Sequence, residues 1–273
     1  MGKFLNGIRE QNQFLLATRE KNFVDKSEMI AKLNDIVSTL ERFVCITKPR
    51  RFGKSINACM LASYYSKTLD MKEVFDNLKI AKFPSYGEHL NKHNIIYISF
   101  NVRAEEFKTY DEYINYFKEG LKEDLKEFCP EVPNGMFVVD MIEYVYDKTK
   151  EGFIFIIDEW DDIFNNEMYD KQCRRNFLLF LEDLLKDKAY VKLAYMTGIL
   201  PIAKYSSGSS LNMFMEYDTI SDELYSEYFG FLEEEVEDLC AKQSIITMDE
   251  LREWYNGYCN EDGIRIYNPR SVV

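Results

Sequence analysis

The residues best suited to chemistry form a Gly53-Lys54-Ser55 turn early in the chain. Residues 43–47 before the turn are predicted to be an apolar strand, and residues 56–62 after it favour a helix. Backbone N–H groups at the start of a helix point toward an anion, and the helix end adds roughly half a positive charge. Lys54 is then placed to reach the β- and γ-phosphates, and the Ser55 hydroxyl to bind Mg²⁺. The turn therefore predicts a site for a nucleoside triphosphate and its metal ion.

The turn departs from the common pattern G-x-x-x-x-G-K-[ST], because Lys48 stands at the position of the first glycine and Pro49 follows it. A Gly-Lys-Ser/Thr tripeptide alone is a weak signal, since roughly one chain in ten of this length contains one by chance. Such a tripeptide is also compatible with a plain surface turn. The strand before it, the helix after it and a second motif favour phosphate binding.

The second motif is the adjacent pair Asp158 and Glu159, which ends the apolar run 153–157. A continuous apolar run is typical of a strand buried on both faces, and ligands of open α/β sheets bind beyond the carboxyl ends of the strands. Asp158 is predicted to hold hydrated Mg²⁺, and Glu159 to orient or deprotonate water. Taken alone, the pair is equally compatible with a solvated strand end. Its combination with Lys54 favours chemistry.

A third predicted strand, residues 191–196, is followed by Thr197 and Gly198. In P-loop ATPases with an additional strand, a polar residue at this position hydrogen-bonds the γ-phosphate or the attacking water. Thr197 is the candidate for that role. A Thr-Gly pair also ends strands well in ordinary turns, so its position alone leaves both interpretations open.

Positive charge is concentrated around the turn by four residues, Lys48, Arg50, Arg51 and Lys54. This charge suits a polyphosphate of about the size of ATP. Alternatively, the two arginines pair with acids such as Asp161 or Asp162 and brace the loop. The residues predicted to contact the nucleotide are Pro49, Arg50, Arg51, Phe52, Gly53, Lys54, Ser55 and Ile56.

Two further predictions concern residues outside the turn. Residues 25–28 have the spacing of a capping box ahead of a predicted helix over 29–40. Arg174 and Arg175 are candidates for an arginine finger, a residue that completes the active site of a neighbouring subunit. Arginines on an amphipathic helix more often lie on its solvated face or form local ion pairs.

The order of elements predicts the fold class. Predicted strands at 43–47, 95–100, 153–158 and 191–197 alternate with predicted helices at 110–128, 136–148 and 171–186. This alternation is typical of an α/β fold with a mainly parallel sheet covered on both faces, the three-layer arrangement of P-loop NTPases. Beyond about residue 221 two short helices are predicted, at 233–242 and 249–255. We therefore expect a core over residues 1–222 and a small, truncated helical subdomain over 223–273, lying over the nucleotide as a partial lid.

Composition narrows the class of protein. The 273 residues have a formal net charge of -13, which argues against strong direct binding of nucleic acid by this part of the chain. No apolar run of eighteen residues occurs, so membrane insertion is not expected and the cytoplasm is the predicted compartment. Six cysteines without a CxxC pair indicate neither a disulfide framework nor a zinc site.

Several segments, in matching order, resemble the bacterial AAA-ATPase-like family. They are residues 23–27, 47–55, 157–161, 197–200, 227–231, 254–258 and 267–269. The resemblance explains the missing first glycine, because the family's loop has the form Pro-Arg-Arg-Phe-Gly-Lys-Ser. Lys48 and Trp160 depart from it, since the family usually has Arg and Tyr there.

The resemblance implies that Phe23 and Val24 lie near the base, where they are candidates to cover one face of adenine. An apolar pair before a helix is more often a hydrophobic staple. The resemblance also implies further helices and often a PD-(D/E)XK nuclease-like domain, whereas this chain ends at Val273.

Together these observations predict a Mg²⁺-dependent ATPase module that converts ATP to ADP and phosphate and regulates an attached or partner effector, which is nuclease-like in related proteins. The alternative is a slow or inactive module that senses ATP and recruits or restrains a partner. A homo-oligomer that shares its sites is compatible with either. A GTPase is disfavoured, because residues 91–94 (Asn-Lys-His-Asn) lack the final acid of a guanine-reading motif. A kinase is disfavoured because no acceptor site is recognisable.

Overall fold

A computed structural model describes residues 2–102, 107–205, 210–219, 222, 224–243, 248, 252, 258–259, 263 and 265–272. Within these residues the main sheet has five parallel strands in the order β2-β3-β4-β1-β5. The strands are β1 (Phe43–Thr47), β2 (Asn94–Ser99), β3 (Phe153–Asp158), β4 (Val191–Gly198) and β5 (Met215–Tyr217). The parallel α/β fold predicted from the alternation of elements is confirmed.

Helices cover both faces of this sheet. They are α1 (Arg9–Ala17), α2 (Met29–Asn34), α3 (Lys54–Tyr65), α4 (Lys72–Phe75), α5 (Tyr86–His89), α6 (Tyr110–Phe128), α7 (Val138–Thr149), α8 (Asp162–Asn165), α9 (Lys171–Leu185) and α10 (Ile202–Tyr205). A further helix, α11 (Glu233–Gln243), packs against the C-terminal segments 231–232 and 265–267 instead. Successive residues of β3 point to opposite faces, as the two-residue repeat of a strand requires. Phe155 and Ile157 join the apolar cluster beneath α6, α7 and α9, whereas Ile154 and Ile156 join the cluster beneath α1, α2 and α3. The three-layer arrangement follows from this double burial.

The strand order brings the predicted chemical residues to one edge of the sheet. Strand β4 lies between β1 and β3, with Thr47 opposite Gly198 and Ile157 opposite Met196. Because all these strands are parallel, their carboxyl ends meet at the same edge. The loop after β1, the acidic end of β3 and the polar end of β4 are therefore neighbours.

The helix predictions differ in how well they agree with the structure. The predicted helix over 110–128 is confirmed as α6, which begins where the Thr109 hydroxyl accepts a hydrogen bond from the Glu112 amide at 3.2 Å. The helix predicted over 29–40 ends earlier, because α2 stops at Asn34. The capping-box prediction is wrong, since α2 begins without a side-chain cap.

The side chains expected to form that cap bind another segment instead. Asp25 accepts hydrogen bonds from the amides of Ser27 and Lys79, at 2.9 and 2.6 Å. The Ser27 hydroxyl accepts one from the Ile80 amide at 3.0 Å. Asp25 and Ser27 therefore fix the short 3-10 turn Lys79–Lys82 against the start of α2.

The C-terminal part contains a feature that the sequence analysis did not predict. Besides α11, which confirms the helix predicted over 233–242, a small antiparallel sheet is formed by β6 (Phe231–Leu232), β8 (Arg265–Tyr267) and β7 (Tyr258–Cys259), in that order. The helix predicted over 249–255 lies outside the described residues, apart from Arg252. Among the helices of the described residues, none combines the length and the apolar character needed to cross a membrane.

Candidate functional site

The loop between β1 and α3 has the backbone geometry of an anion site. Gly53 lies in the left-handed region with a φ of 83°, directly before α3, and no side chain caps the helix there. The N–H groups at the start of α3 are therefore not taken by a capping residue. Arg51 also has a positive φ, 71°, a conformation that costs a non-glycine residue free energy. The loop is thus held in an uncommon shape around the start of the helix.

Lys54 is held inside this loop. Its ammonium group donates hydrogen bonds to the carbonyl oxygens of Lys48 and Pro49, each at 2.8 Å. Burial lowers the pKa of Lys54, and the nearby charge of Asp158 opposes that shift. A phosphate would offer the same ammonium a charged acceptor in place of the two carbonyls.

Asp158 and Thr197 form a buried pair at the ends of β3 and β4. The Thr197 hydroxyl donates to Asp158 Oδ1 at 2.5 Å, and the two residues are 0% and 3% exposed. A threonine hydroxyl has one proton to donate. Thr197 would therefore have to release Asp158 before it could donate to a phosphate or a water molecule.

Glu159 lies on a strained backbone at the acidic end of β3. Its φ is 52°, which is uncommon for a residue with a side chain and is frequent at active sites. Burial raises the pKa of Glu159, the charge of Asp158 raises it further, and a hydrogen bond with Asn101 opposes the shift. The Glu159 and Asp158 side chains line one cavity at this end of the strand.

Asn101 was missed by the sequence analysis. It follows β2, lies close enough to Glu159 to oppose the rise in the pKa of that carboxyl group, and lines two cavities that Glu159 also lines. The signal that could have found it is the rule already applied to Asp158, namely that a polar residue just beyond a parallel strand faces the ligand edge.

Two cavities meet at the loop. The polar cavity, of about 600 Å³, is lined by Arg50, Arg51, Gly53, Lys54, Ser55, Ile56, Asn101, Glu159, Asp161, Asp162, Asn165 and Ile199. The apolar cavity, of about 470 Å³, is lined chiefly by Phe14, Ala17, Phe23, Val24, Phe52, Ile56, Met60, Tyr228 and Phe231. Arg51, Gly53 and Ile56 line both. One ligand with an apolar end and an anionic end could therefore occupy the two together.

Most of the predicted contact residues line one of these cavities. Phe23 and Val24 line the apolar cavity, where Phe23 also packs against the Phe14 ring at 6.2 Å. Pro49 is not among the lining residues of either cavity and contributes its carbonyl oxygen to Lys54. The structure therefore brings together the two halves of the predicted site.

The loop cations divide into two groups. Arg50 and Arg51 are exposed and line the polar cavity. The bracing alternative receives no support at Asp161, whose Oδ2 accepts the amides of Ile199 and Leu200 at 2.9 and 2.8 Å. Arg50 lies near Asp162, where burial raises the pKa of the carboxyl group and the arginine charge opposes the rise.

Lys48 does not belong with the cations that face the cavity. Its side chain is buried and forms an ion pair with Asp222, with 2.8 Å between Nζ and Oδ2. The expectation that Lys48 adds positive charge to the phosphate site is therefore wrong.

The arginines of α9 lie outside the two cavities. The Arg174 guanidinium lies 6.0 Å from the centre of the Phe164 ring and donates to the Asn166 carbonyl at 3.4 Å. Arg175 is exposed. A role for either residue in a neighbouring subunit's site stays a prediction.

The donor set beside Ser55 fits a magnesium ion. Ser55, Asp158 and Glu159 line a third cavity, of about 310 Å³, and Ser55 is exposed. Only one Asp158 oxygen is bound by Thr197. No cluster of three or more His, Cys, Asp or Glu residues able to hold a metal occurs in the part of the chain that the structure describes. Mg²⁺ needs no such cluster, because it usually binds one or two protein oxygens together with phosphates and water.

The model of the AAA-ATPase-like family, described as a predicted AAA-ATPase, matches residues 7–207. No curated protein matches the chain.

Two solved structures of the Aeropyrum pernix ORC2 protein are similar to this chain. One, of ADPNP-ADP complexes, has 10% sequence identity and a TM-score of 0.41, covering 99% of this chain and 65% of that one. The other, of the ADP form, has 10% identity and a TM-score of 0.39, covering 98% of this chain and 62% of that one. The chain thus spans less than two thirds of the length of either. Because the family model covers more than half of the sequence, the chain belongs to the AAA-ATPase-like family.

Proposed function

We propose that this chain binds ATP with Mg²⁺ and hydrolyses it to ADP and phosphate. The observation that supports this most directly is that Lys54, Ser55 and Glu159, from two separate sequence motifs, line one cavity. Ser55 also shares a second cavity with Asp158 and Glu159. Membership of the AAA-ATPase-like family supports an ATP-binding ATPase module.

The apolar cavity is proposed to hold the adenine. Its walls are mainly aromatic and aliphatic, and Phe23 and Tyr228 contribute ring surfaces to it. A flat base buries well against such walls. Because this cavity meets the polar one at Gly53, the triphosphate would extend from the base across the start of α3.

The loop is proposed to bind the phosphates. The N–H groups at the start of α3 and the Lys54 ammonium supply hydrogen-bond donors, and Arg50 and Arg51 add positive charge at the rim. Lys54 would exchange its two carbonyl acceptors for phosphate oxygens. Such donors stabilise the charge that develops on the phosphoryl group during its transfer.

Ser55 and Asp158 are proposed to hold the metal ion, and Glu159 to act on water. When bound, Mg²⁺ neutralises charge on the phosphate oxygens. Asp158 is kept in place by Thr197, and Glu159 lies beside Asn101 in the lining of the polar cavity. Glu159 would accept the proton of the attacking water, with Asn101 orienting its carboxyl group.

A slow, ATP-sensing module is the second candidate. Two observations favour it. The Lys54 ammonium group is hydrogen-bonded to loop carbonyl oxygens, and the Thr197 hydroxyl is hydrogen-bonded to Asp158. Both groups must change partners before they can contact a phosphate. In either case we propose that the module regulates an effector that is attached to it or recruited by it, and the family resemblance implies a nuclease-like effector.

The decisive experiment is equilibrium binding of ATP, ADP and GTP with and without Mg²⁺, followed by measurement of phosphate release. We expect ATP to bind in the presence of Mg²⁺, and Lys54→Ala to weaken binding by about a hundredfold, since charge-assisted hydrogen bonds are lost. Lys67→Ala is the control, because Lys67 is exposed and pairs with Glu151. Equal affinity in wild type and Lys54→Ala would contradict the proposal. Tight binding without phosphate release would favour the sensing module.

A further inference from the structure

A buried ion pair joins the phosphate-binding loop to the C-terminal part of the chain. Lys48 Nζ lies 2.8 Å from Asp222 Oδ2, and the two side chains are 2% and 0% exposed. The same ammonium donates to the carbonyl oxygen of Asp218. Removing two charges from water is costly, so such a pair is a poor source of stability and is better suited to fixing geometry.

Asp222 uses its second oxygen to hold the chain that follows. Its Oδ1 accepts hydrogen bonds from the amides of Leu224 and Tyr225, at 3.0 and 2.6 Å. We call residues 224–232 the strap. Asp222 thereby ties the start of the strap to the side chain of Lys48.

The rest of the strap is bound to the loop and to α3 by two further hydrogen bonds. The Gly230 amide donates to the Phe52 carbonyl at 3.0 Å, and the Asn57 side chain donates to the Tyr228 carbonyl at 2.9 Å. Tyr228 and Gly230 line the apolar cavity. The strap is thus held against the same loop at several points along its length.

Lys48 links Lys54 to the contacts of the strap. Its carbonyl oxygen accepts the Lys54 ammonium, while its own side chain binds Asp222. Any ligand that draws Lys54 away removes a hydrogen bond from the Lys48 main chain. The side chain of that residue is anchored to the strap, so a change at Lys54 reaches the strap through one residue.

We infer that the Lys48–Asp222 pair couples the state of Lys54 to the strap, with both members acting as positioning residues. This inference rests on the proposed function, because phosphate binding is the event that would move Lys54. Coupling is reciprocal, so the same pair contributes to nucleotide affinity. It supplies a route by which occupancy of the site reaches the strap.

A mutant cycle without nucleotide tests the coupling directly. The readout is amide hydrogen exchange at Leu224 and Tyr225, resolved by NMR. Lys54→Ala removes the donor to the Lys48 carbonyl, so we expect exchange at these amides to become about fivefold faster or more. The double variant Lys48→Met/Asp222→Asn removes both charges together and keeps an amide oxygen to accept the Leu224 and Tyr225 hydrogens. In that background Lys54→Ala should change exchange less than twofold.

Two controls make the result specific. Lys48→Arg keeps the charge of the pair, so Lys54→Ala should speed exchange in that background as much as in wild type. Replacing the exposed pair Lys67 and Glu151 by Met and Gln should leave the response as in wild type. An equal response to Lys54→Ala in wild type and in the double variant overturns the inference, as does no response in wild type.

A second arm separates this inference from the proposed function. ATP with Mg²⁺ should change exchange at Leu224 and Tyr225 in wild type and much less in the double variant. If ATP does not bind to wild type, the proposed function fails, and the nucleotide-free cycle still decides the coupling. If ATP binds to wild type without changing exchange at these amides, the inference fails and the proposed function stands.

Discussion

Thr197 donates a hydrogen bond of 2.5 Å to Asp158, and both residues are buried at the ends of neighbouring parallel strands. This relationship places Thr197 behind the proposed metal ligand. In this arrangement the function of the Thr197 hydroxyl is to orient the Asp158 carboxylate.

Thr197→Val tests that function because valine has nearly the same shape and no hydroxyl. Loss of a group that orients a metal ligand typically weakens metal binding by 10- to 100-fold. We therefore expect the Mg²⁺ concentration needed for half-maximal ATP binding to rise by about that factor, and the free energy of unfolding to fall by about 1–3 kcal/mol. Thr149→Val, in α7, is the control. A fall in turnover with unchanged Mg²⁺ dependence would instead support contact with phosphate or water.

Glu159→Gln should separate binding from hydrolysis. The amide keeps the size of the side chain but cannot accept a proton from water, and loss of a general base typically costs 10²- to 10⁴-fold in rate. We expect ATP affinity within about threefold of wild type and phosphate release reduced by about that general-base factor. Glu73→Gln, at an exposed position in α4, controls for a general charge effect. Unchanged phosphate release would remove Glu159 from the mechanism.

Gly198→Ala should destabilise the protein through crowding at the end of β4. A Cβ at this position would lie 2.5 Å from Trp160 Nε1 and 2.7 Å from Asp161 Oδ1. Overpacking of this kind costs about 1–3 kcal/mol, which denaturant unfolding would measure. Gly87→Ala is the matched control, because a Cβ there meets nothing within 4 Å. Equal unfolding free energies for the two variants would show that the strand end relaxes easily.

The two histidines of the chain predict a loss of stability in mild acid. His89 Nδ1 and His93 Nε2 lie 3.0 Å apart, both packed against Tyr65. Burial lowers the pKa of His93 to about 3, with charge on His89, Lys192, Lys92 and Lys67 adding to the shift, and burial also lowers the pKa of His89 although Glu88 opposes it.

The unfolded chain then binds more protons than the folded one below a pH of about 6.5. The free energy of unfolding should therefore fall as the pH drops from 6.5 toward 5, with a slope of at most about 1.4 kcal/mol per pH unit for each histidine. His93→Gln should flatten this slope in urea titrations. An identical slope in wild type and in the variant would assign the acid sensitivity to other groups.

The strands, and the polar residues at their carboxyl ends, were predictable because each has a strong local sequence signal. The apolar run before Asp158 can only be a buried strand or a buried helix, and its length favours a strand. A polar residue directly after such a run marks the ligand edge of a parallel sheet, which identified Asp158 and Thr197. Asn101 fits the same rule, because it follows the apolar strand β2 and lines the polar cavity.

Contacts between distant segments were not predictable in this way. Nothing in the residues around Lys48 indicates that its side chain turns away from the phosphate site toward Asp222. The Asp25 and Ser27 side chains had the spacing of a local cap, but they bind the amides of Lys79 and Ile80. Tertiary partners outcompeted the local ones, so α2 begins at Met29 without the side-chain cap that the spacing predicted.

The left-handed backbone conformation of Glu159 opposes the stability of the protein to its proposed activity. Glycine adopts that conformation without the steric cost paid by other residues, so Glu159→Gly would relieve strain while deleting the carboxyl group. Selection of heat-resistant variants of this chain would therefore tend to recover glycine at position 159. The selected variants would be more stable but would lack the proposed general base. A screen for thermal stability alone would therefore remove the residue on which turnover is proposed to depend.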